Sequence, residues 1–398
     1  MKIIDRNRYI DKMIRVMNTP DIKVITGVRR AGKSKLMELF KKYIKKSIKN
    51  YNIIHINFNL KKYDSLLDGE SLYIYITNNY KKNKKNFVLI DEIQKCVGFE
   101  NTINSLHAEE KYDIYITGSN AFLLSSDLST LFTGRTFEIS IFPFSFEEYN
   151  IYYKCDNNYS SFNSYINDGG MSGSYLYENE EDKKSYLKEI YHTLILRDIV
   201  QKYNIKNEQL LNKLSDYLLD NIANITSPKK IEDTLKNTDS SGDHKTISNY
   251  LNYLCNAFAF YRVRRYDIKG KKYLKSQDKY YLVDTSFRRA MLGRKNEDYG
   301  RVLENIVAIE LLRRGYEIYV GTLYDKEVDF VAMKNDEQIY IQVSNNIENA
   351  DTLRREITPL LSIRDGYKKM IITRLNHEGY IENGVEIVDI SDWLLKKL

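Results

Sequence analysis

The sequence predicts an α/β fold assembled from several folding units, and three observations carry that prediction. A β-branched run, Val24 to Thr26, passes through a glycine-bounded loop into a stretch where Leu36, Phe40, Tyr43 and Ile44 recur at helical spacing. Farther on, Phe87-Val88-Leu89-Ile90 is a continuous apolar run ending in two carboxylates, Asp91 and Glu92. A strand buried on both faces of a parallel sheet reads this way. Finally, a chain of 398 residues exceeds what one hydrophobic core usually serves, so about two to four units are expected.

Composition bounds the rest. A 42% hydrophobic fraction is enough to build those cores, and 61 Lys and Arg against 54 Asp and Glu give a formal charge of +7. Spread over this length, that charge permits a nucleic-acid partner without requiring one. Cys96, Cys155 and Cys255 lie far apart and form no CxxC pair, so neither a zinc site nor a disulfide framework is indicated. The start meets charges at Lys2, Asp5 and Arg6, too early for a signal-peptide core, and no apolar run approaches the roughly 18 residues that span a bilayer. The expectation is a cytoplasmic protein with no membrane partner.

In chain order, residues 1–22 supply a short helix, Arg8 to Met17, leading into the first strand. Its apolar residues and Tyr9 either lie against an adenine ring or simply cover the sheet edge. The loop that follows reads Gly27-Val28-Arg29-Arg30-Ala31-Gly32-Lys33-Ser34, in the strand–loop–helix context that a phosphate-binding loop requires. The chemistry explains the residue types. Gly27 and Gly32 let backbone N–H groups curl around phosphate oxygens, and the helix beginning near Lys33 turns its positive dipole end toward them. Lys33 adds a cation for the β and γ phosphates of ATP, and the Ser34 hydroxyl is suited to Mg²⁺. This defines a P-loop NTPase core.

Residues 52–58 form a second strand and Leu66 to Lys82 a helical region. The run ending in Asp91 and Glu92 then reads as the second nucleotide-binding motif, Walker B. Asp91 would hold Mg²⁺ directly or through water, and Glu92 would polarise the attacking water. The strand Asp113 to Thr117 ends in Gly118-Ser119-Asn120, where Thr117, Ser119 and Asn120 either sense the γ-phosphate or serve as turn residues. Arg135, after Gly134 and before the strand Phe137 to Phe142, is either an arginine finger or a surface arginine in a salt bridge.

The ordered set GVRRAGKS, FVLIDEIQ, ITGSN and TGR followed by FPFSFEEY resembles the prokaryotic AAA+-type ATPases whose C-terminal half is a domain of unknown function, DUF4143. The resemblance covers nearly the whole chain. It implies an AAA+/ASCE-type core with an extra strand between the two nucleotide-binding strands. With that core at 1–145, a small helical lid, a winged helix and a nuclease-like C-terminal module would follow at 146–204, 205–285 and 286–398. Arg197 becomes a second nucleotide contact under this resemblance, against the reading of a solvated helix charge.

Within that frame, Asp168 to Gly173 is a glycine-rich loop, read as a hinge between core and lid, ahead of a helix from Lys184 to Gln201. Leu210 to Asn221, Pro228 to Leu235 after the N-cap Ser227, and Lys245 to Phe258 are the three helices of the winged helix. Two strands around Lys269-Gly270-Lys271-Lys272 are its wing, and Tyr261 to Lys279 holds eight basic residues against two acids. Such a module would bind duplex DNA, or else turn against the protein's own core.

From about Phe287 the pattern resembles the PD-(D/E)xK nuclease fold, with Glu304 on a helix and Asp329 on a strand, then Gln342-Val343-Ser344 where active members carry Glu-x-Lys. Ser344 cannot replace the lysine's charge, so a degenerate module used for docking a protein partner is expected, and an ATP-dependent nuclease is argued against. The sequence therefore points to a Mg²⁺-dependent ATPase whose catalytic candidates are Lys33, Glu92 and Arg135. Arg135 would act within one chain or between copies of an oligomer. A slow nucleotide-gated switch, binding DNA or a protein, is the alternative.

Overall fold

The computed structural model describes residues 3–118, 132, 134–156, 158–193, 198–236, 242–273, 277–293, 298–375 and 377–396. It divides into two units, residues 2–141 and 142–398.

In the first unit α1 (Asn7–Arg15) leads into β1 (Ile22–Gly27), which is buried along its whole length. α2 (Lys33–Ser47), β2 (Tyr51–Asn57), α3 (Gly69–Asn78), β3 (Lys85–Asp91), α4 (Phe99–Ala108), β4 (Tyr112–Thr117) and β5 (Thr136–Ile141) follow. All five strands run parallel in the order β2-β3-β4-β1-β5. The extra strand expected between the two nucleotide-binding strands is β4, set between β1 and β3. Parallel strands need crossovers, and here the amphipathic helices supply them while burying the sheet's apolar faces. One such core gathers Val24, Ile56, Val88, Ile90, Leu72, Ile103 and Ile116. α3 is capped by Asp68, whose carboxylate accepts from Ser71 N at 2.9 Å. α2 has no side-chain cap and begins after Gly32 in the left-handed conformation, so its first N–H groups are directed to whatever occupies the loop.

The second unit begins with helices: α5 (Phe146–Tyr153), α6 (Asn158–Asp168), α7 (Glu180–His192), α8 (Ile199–Tyr203), α9 (Glu208–Asp220), α10 (Pro228–Leu235) and α11 (His244–Asn256). A capping box between Ser145 and Glu148 opens α5, and Ser227 caps α10 ahead of Pro228. Of the helix expected from Lys184 to Gln201, α7 and α8 are seen, with 194–197 outside the described residues. Next come β6 (Phe260–Val263), β7 (Arg265–Asp267), β8 (Lys272–Tyr273), β9 (Lys279–Leu282), α12 (Thr285–Leu292), α13 (Tyr299–Arg313), β10 (Glu317–Leu323), β11 (Lys326–Lys334) and β12 (Glu337–Val343). The unit ends with α14 (Ala350–Leu361), β13 (Lys368–Thr373), β14 (Tyr380–Glu382), β15 (Val385–Asp389) and α15 (Ile390–Leu395).

One sequence expectation is corrected here. The strands around Lys269 to Lys272 do not form a wing beside the three helices. β6 pairs with β9 as a separate two-stranded sheet, while β7 and β8 join an eight-stranded mixed sheet in the order β14-β15-β13-β12-β11-β10-β7-β8. The reason is parallel pairing of β7 with β10, Arg265 opposite Val320 and Asp267 opposite Thr322.

The glycine cluster read as a hinge is closely packed. A Cβ on Gly169 would lie 2.1 Å from Asp284 Oδ1, and one on Gly170 would lie 2.2 Å from the Phe144 carbonyl oxygen. Gly170 N donates to Asp284 Oδ2 at 2.6 Å, Phe144 N donates to Gly170 O at 2.8 Å, and the Tyr175 hydroxyl donates to Gly169 O at 2.5 Å. These glycines allow close packing, which sequence alone does not separate from flexibility.

Among the described residues no helix is long and apolar enough to cross a membrane.

Candidate functional site

The loop after β1 is shaped by its backbone. Gly27 has φ 132°, and a Cβ there would sit 2.1 Å from the Ile141 carbonyl oxygen. Arg30 and Gly32 are also left-handed, at φ 68° and 98°. Three such residues within six positions make the chain curl, the condition for several N–H groups to face one anion. Val28 and Ala31 are buried, whereas Arg29 and Arg30 are exposed. Lys33 is buried and its ammonium donates to Gly27 O at 2.7 Å and Val28 O at 3.2 Å. Ser34 is half-buried in the first turn of α2. Behind the loop, the buried Arg6 donates from Nη1 to Ala31 O at 2.8 Å and sets its guanidinium 4.5 Å from the centre of the Tyr9 ring. Tyr9 is itself buried.

Asp91 ends β3 with 1% of its surface exposed. Its Oδ1 accepts a short hydrogen bond from Thr117 Oγ1, and its Oδ2 accepts from Asn57 Nδ2 at 3.1 Å. The Glu92 backbone is left-handed, φ 60°, and its N–H reaches Thr117 Oγ1 at 3.2 Å. Gln94 Nε2 donates to Glu92 Oε2 at 2.5 Å. The carboxyl ends of β2, β3 and β4 thus bring together Asn57, Asp91, Glu92 and Thr117. In an open α/β sheet this edge is where ligands bind.

Of the alternatives weighed for Thr117, the structure gives it a partner in Asp91 and Glu92. Sequence reasoning missed Asn57, although a polar residue closing an otherwise apolar strand, in register with Asp91, was a signal. Ser119, Asn120 and Arg197 lie outside the described residues.

Arg135 stands apart from these residues. It precedes β5, and its carbonyl accepts from Ile22 N at 2.9 Å. Because β5 runs parallel to β1, with Ile22 opposite Thr136 and Gly27 opposite Ile141, Arg135 stands at the start of β1. The loop follows its end, roughly 16 Å away at ~3.3 Å per residue. Its main chain therefore sits at the opposite edge of the sheet from the loop of its own chain.

In the second unit Glu304 and Asp329 do converge, but a lysine from elsewhere joins them. Lys279 Nζ, on β9, lies 2.7 Å from Glu304 Oε1, 2.8 Å from Glu327 Oε1 and 3.6 Å from Asp329 Oδ1. The Tyr281 hydroxyl donates to Glu304 Oε1 at 2.7 Å. Burial, then the Glu304 charge, pushes the Asp329 carboxyl up to about 8, and burial raises Glu304 as well. Burial would lower Lys279, but the three carboxylates outweigh it and raise it. Gln342 Oε1 accepts from Asp329 N at 2.9 Å, and the Ser344 hydroxyl donates to Asn346 O at 3.2 Å, within its own strand's exit. A lysine ammonium thus sits among the three carboxylates. Among the described residues no group of three or more His, Cys, Asp or Glu is arranged to hold a metal ion.

Comparison with solved structures finds a likeness to the DnaA of Aquifex aeolicus bound to AMPPCP, 14% identical, covering 64% of this chain and 89% of that one at a TM-score of 0.31. The Aeropyrum pernix ORC1 protein in complex with DNA is 9% identical, covering 79% and 94% at a TM-score of 0.32. Residues 19–150 match the family model described as an AAA domain, and residues 159–298 match a domain of unknown function, DUF8612, where the sequence resemblance had implied DUF4143. An uncharacterized protein of Methanocaldococcus jannaschii is 29% identical over 98% of this chain and 90% of its own length. An uncharacterized protein of Haemophilus influenzae is 39% identical over 99% of both chains. On the match to that full length, and on the loop geometry above, the chain belongs to the family of the Haemophilus influenzae protein, built on an AAA-type P-loop NTPase fold.

Proposed function

We propose that the protein is a Mg²⁺-dependent ATPase whose nucleotide state is coupled to a DNA-binding module in its second unit. The observation that carries this reading is the pairing of a buried lysine folded into a left-handed glycine loop with a buried aspartate whose two oxygens are both held by neutral donors. Asp91 is thereby aimed, and Ser34 offers a hydroxyl at the first turn of α2, so the residues suit Mg²⁺. When bound, the ion would be held by these two and would offset phosphate charge.

The chain's own groups account for the rest. Loop N–H groups and the start of α2 bind the phosphates, and Lys33 exchanges its carbonyl partners for β and γ oxygens. Glu92 accepts the proton of the water whose oxygen attacks the γ-phosphorus as the bond to the leaving ADP breaks. Arg135, at the far edge of its own sheet, can serve only a neighbouring copy's nucleotide, so this role requires an oligomer.

Helices α9 to α11 with the β6–β9 pair are the module we assign to duplex DNA, on the strength of the three-helix pattern. The Lys279 cluster favours docking of a protein partner over phosphodiester cleavage in the C-terminal region. One observation favours the slow switch as a second reading: Gln94 holds the Glu92 carboxylate at 2.5 Å, a hydrogen bond that favours the charged form and weakens its pull on a proton.

The test is steady-state ATP hydrolysis with and without duplex DNA, with Lys33→Ala and Glu92→Gln beside the wild type. Lys33→Ala should lose ATP binding. Glu92→Gln should keep it while losing about 100-fold or more in turnover. Stimulation by duplex DNA would support the module as its sensor. Tight Mg-ATP binding without turnover in either protein would favour the switch, and absence of ATP binding in the wild type would overturn both readings.

A further inference from the structure

The segment that joins the eight-stranded sheet in place of forming a wing exposes side chains that its structural role does not require. β8 is the outermost strand on its edge, and lysines such as Lys271 and Lys272 are a common device for keeping an edge from pairing with other chains. That device accounts for the charge but not for the rings. Tyr273, on the edge strand, is 59% exposed, and Tyr324, on the turn between β10 and β11, is 70% exposed.

Neither ring stands alone. Tyr273 lies 5.1 Å from the Tyr319 ring and 5.6 Å from the buried Tyr266, which it faces across the β7–β8 pair. Lys269 Nζ sits 4.7 Å from the centre of the Tyr324 ring. From Arg264 to Tyr273 the chain carries five basic residues and a single acid, Asp267, whose carboxylate accepts from Gly270 N at 3.0 Å. Glu317, bonded to the Tyr319 hydroxyl at 3.0 Å, is an acidic neighbour of this patch.

We propose that this sheet edge binds single-stranded nucleic acid. Unpaired bases stack on Tyr273 and Tyr324, while Arg264, Lys269, Lys271 and Lys272 hold the phosphates between them. A preset cluster of tilted tyrosine rings loses little freedom when a base is added to it, and the lysine over Tyr324 yields its place on the ring to a base and turns to the adjoining phosphate. A duplex could use the charge but not the rings, because its bases are already stacked. An acidic protein segment could likewise use the charge alone. The inference goes beyond the ATPase reading and is independent of ATP turnover.

The test uses the full-length chain without nucleotide and follows fluorescence anisotropy of a labelled oligothymidylate about 20 nucleotides long, with a blunt duplex of equal length beside it. Tyr273→Ala and Tyr324→Ala should each weaken the single strand about tenfold and leave the duplex within about twofold. Tyr273→Phe should retain affinity, and Lys271→Glu with Lys272→Glu should weaken binding and flatten its salt dependence. Circular dichroism confirms that each variant is folded. Undetectable binding at low salt, unchanged affinity in both alanine variants, or equal losses for duplex and single strand would overturn the proposal.

Discussion

Lys23 shows how much the first unit depends on one buried side chain. It has no exposed surface, yet its ammonium lies 2.7 Å from Asp113 Oδ1, donates to Thr19 O at 2.6 Å and stands 5.5 Å from the Tyr115 ring. Asp113 also accepts from Asn18 N at 2.9 Å. Removing one partner of a buried pair strands the other charge, so Asp113→Ala should cost about 3–5 kcal/mol, read as a lowered urea midpoint. Lys23→Met combined with Asp113→Leu should recover most of that loss. At this scale, legibility follows sequence distance. Lys33, Ser34, Asp91 and Glu92 could be found because their motifs are local. Arg6 reaches Ala31 across 25 positions and Asn57 reaches Asp91 across 34. The polar end of β2 hints at the second meeting, but the first, between the start of α1 and the loop, is set by tertiary packing that no local motif encodes.

At the scale of elements, the helices and core strands were readable from apolar period and caps: Ser227 before Pro228, or the run from Phe87 that ends at Asp91. Partner choice was not. The basic hairpin at 265–273 has the composition of a wing, and only its backbone pairing with β10 assigns it to the larger sheet. The glycine cluster is a second instance, since a glycine needed for room and one needed for motion are the same letter. Gly170→Ala tests which applies. With its Cβ 2.2 Å from a carbonyl oxygen, it should destabilise the second unit by about 1–3 kcal/mol in thermal or denaturant unfolding. A true hinge would tolerate the methyl group.

For the whole molecule, the buried acids of the Lys279 cluster link stability to pH. Asp329 rises from an ordinary 3.8 to about 8 on folding, so the folded state keeps a proton that the unfolded chain gives up. That stabilisation is complete below about pH 4, shrinks as pH rises, and is gone once pH passes about 8. Asp329→Asn should flatten the fall in melting temperature between those limits, measured across a pH series against the wild type. That the chain holds more than one unit was legible from length, though not that there are two, and the first unit's topology was legible from its motifs. The second unit's unity was not, because its large sheet draws strands from residues 265 to 389. The position of β1 has a further consequence, for biosynthesis. It is the first made of the five strands in its sheet, yet both of its neighbours, β4 and β5, come late, ending at Thr117 and Ile141. At roughly 5–20 residues per second the nascent β1 waits on the order of 10 s for its partners. Throughout that interval an apolar strand is made without the two strands it pairs with, so β1 is the part of the first unit most exposed to mispairing during synthesis.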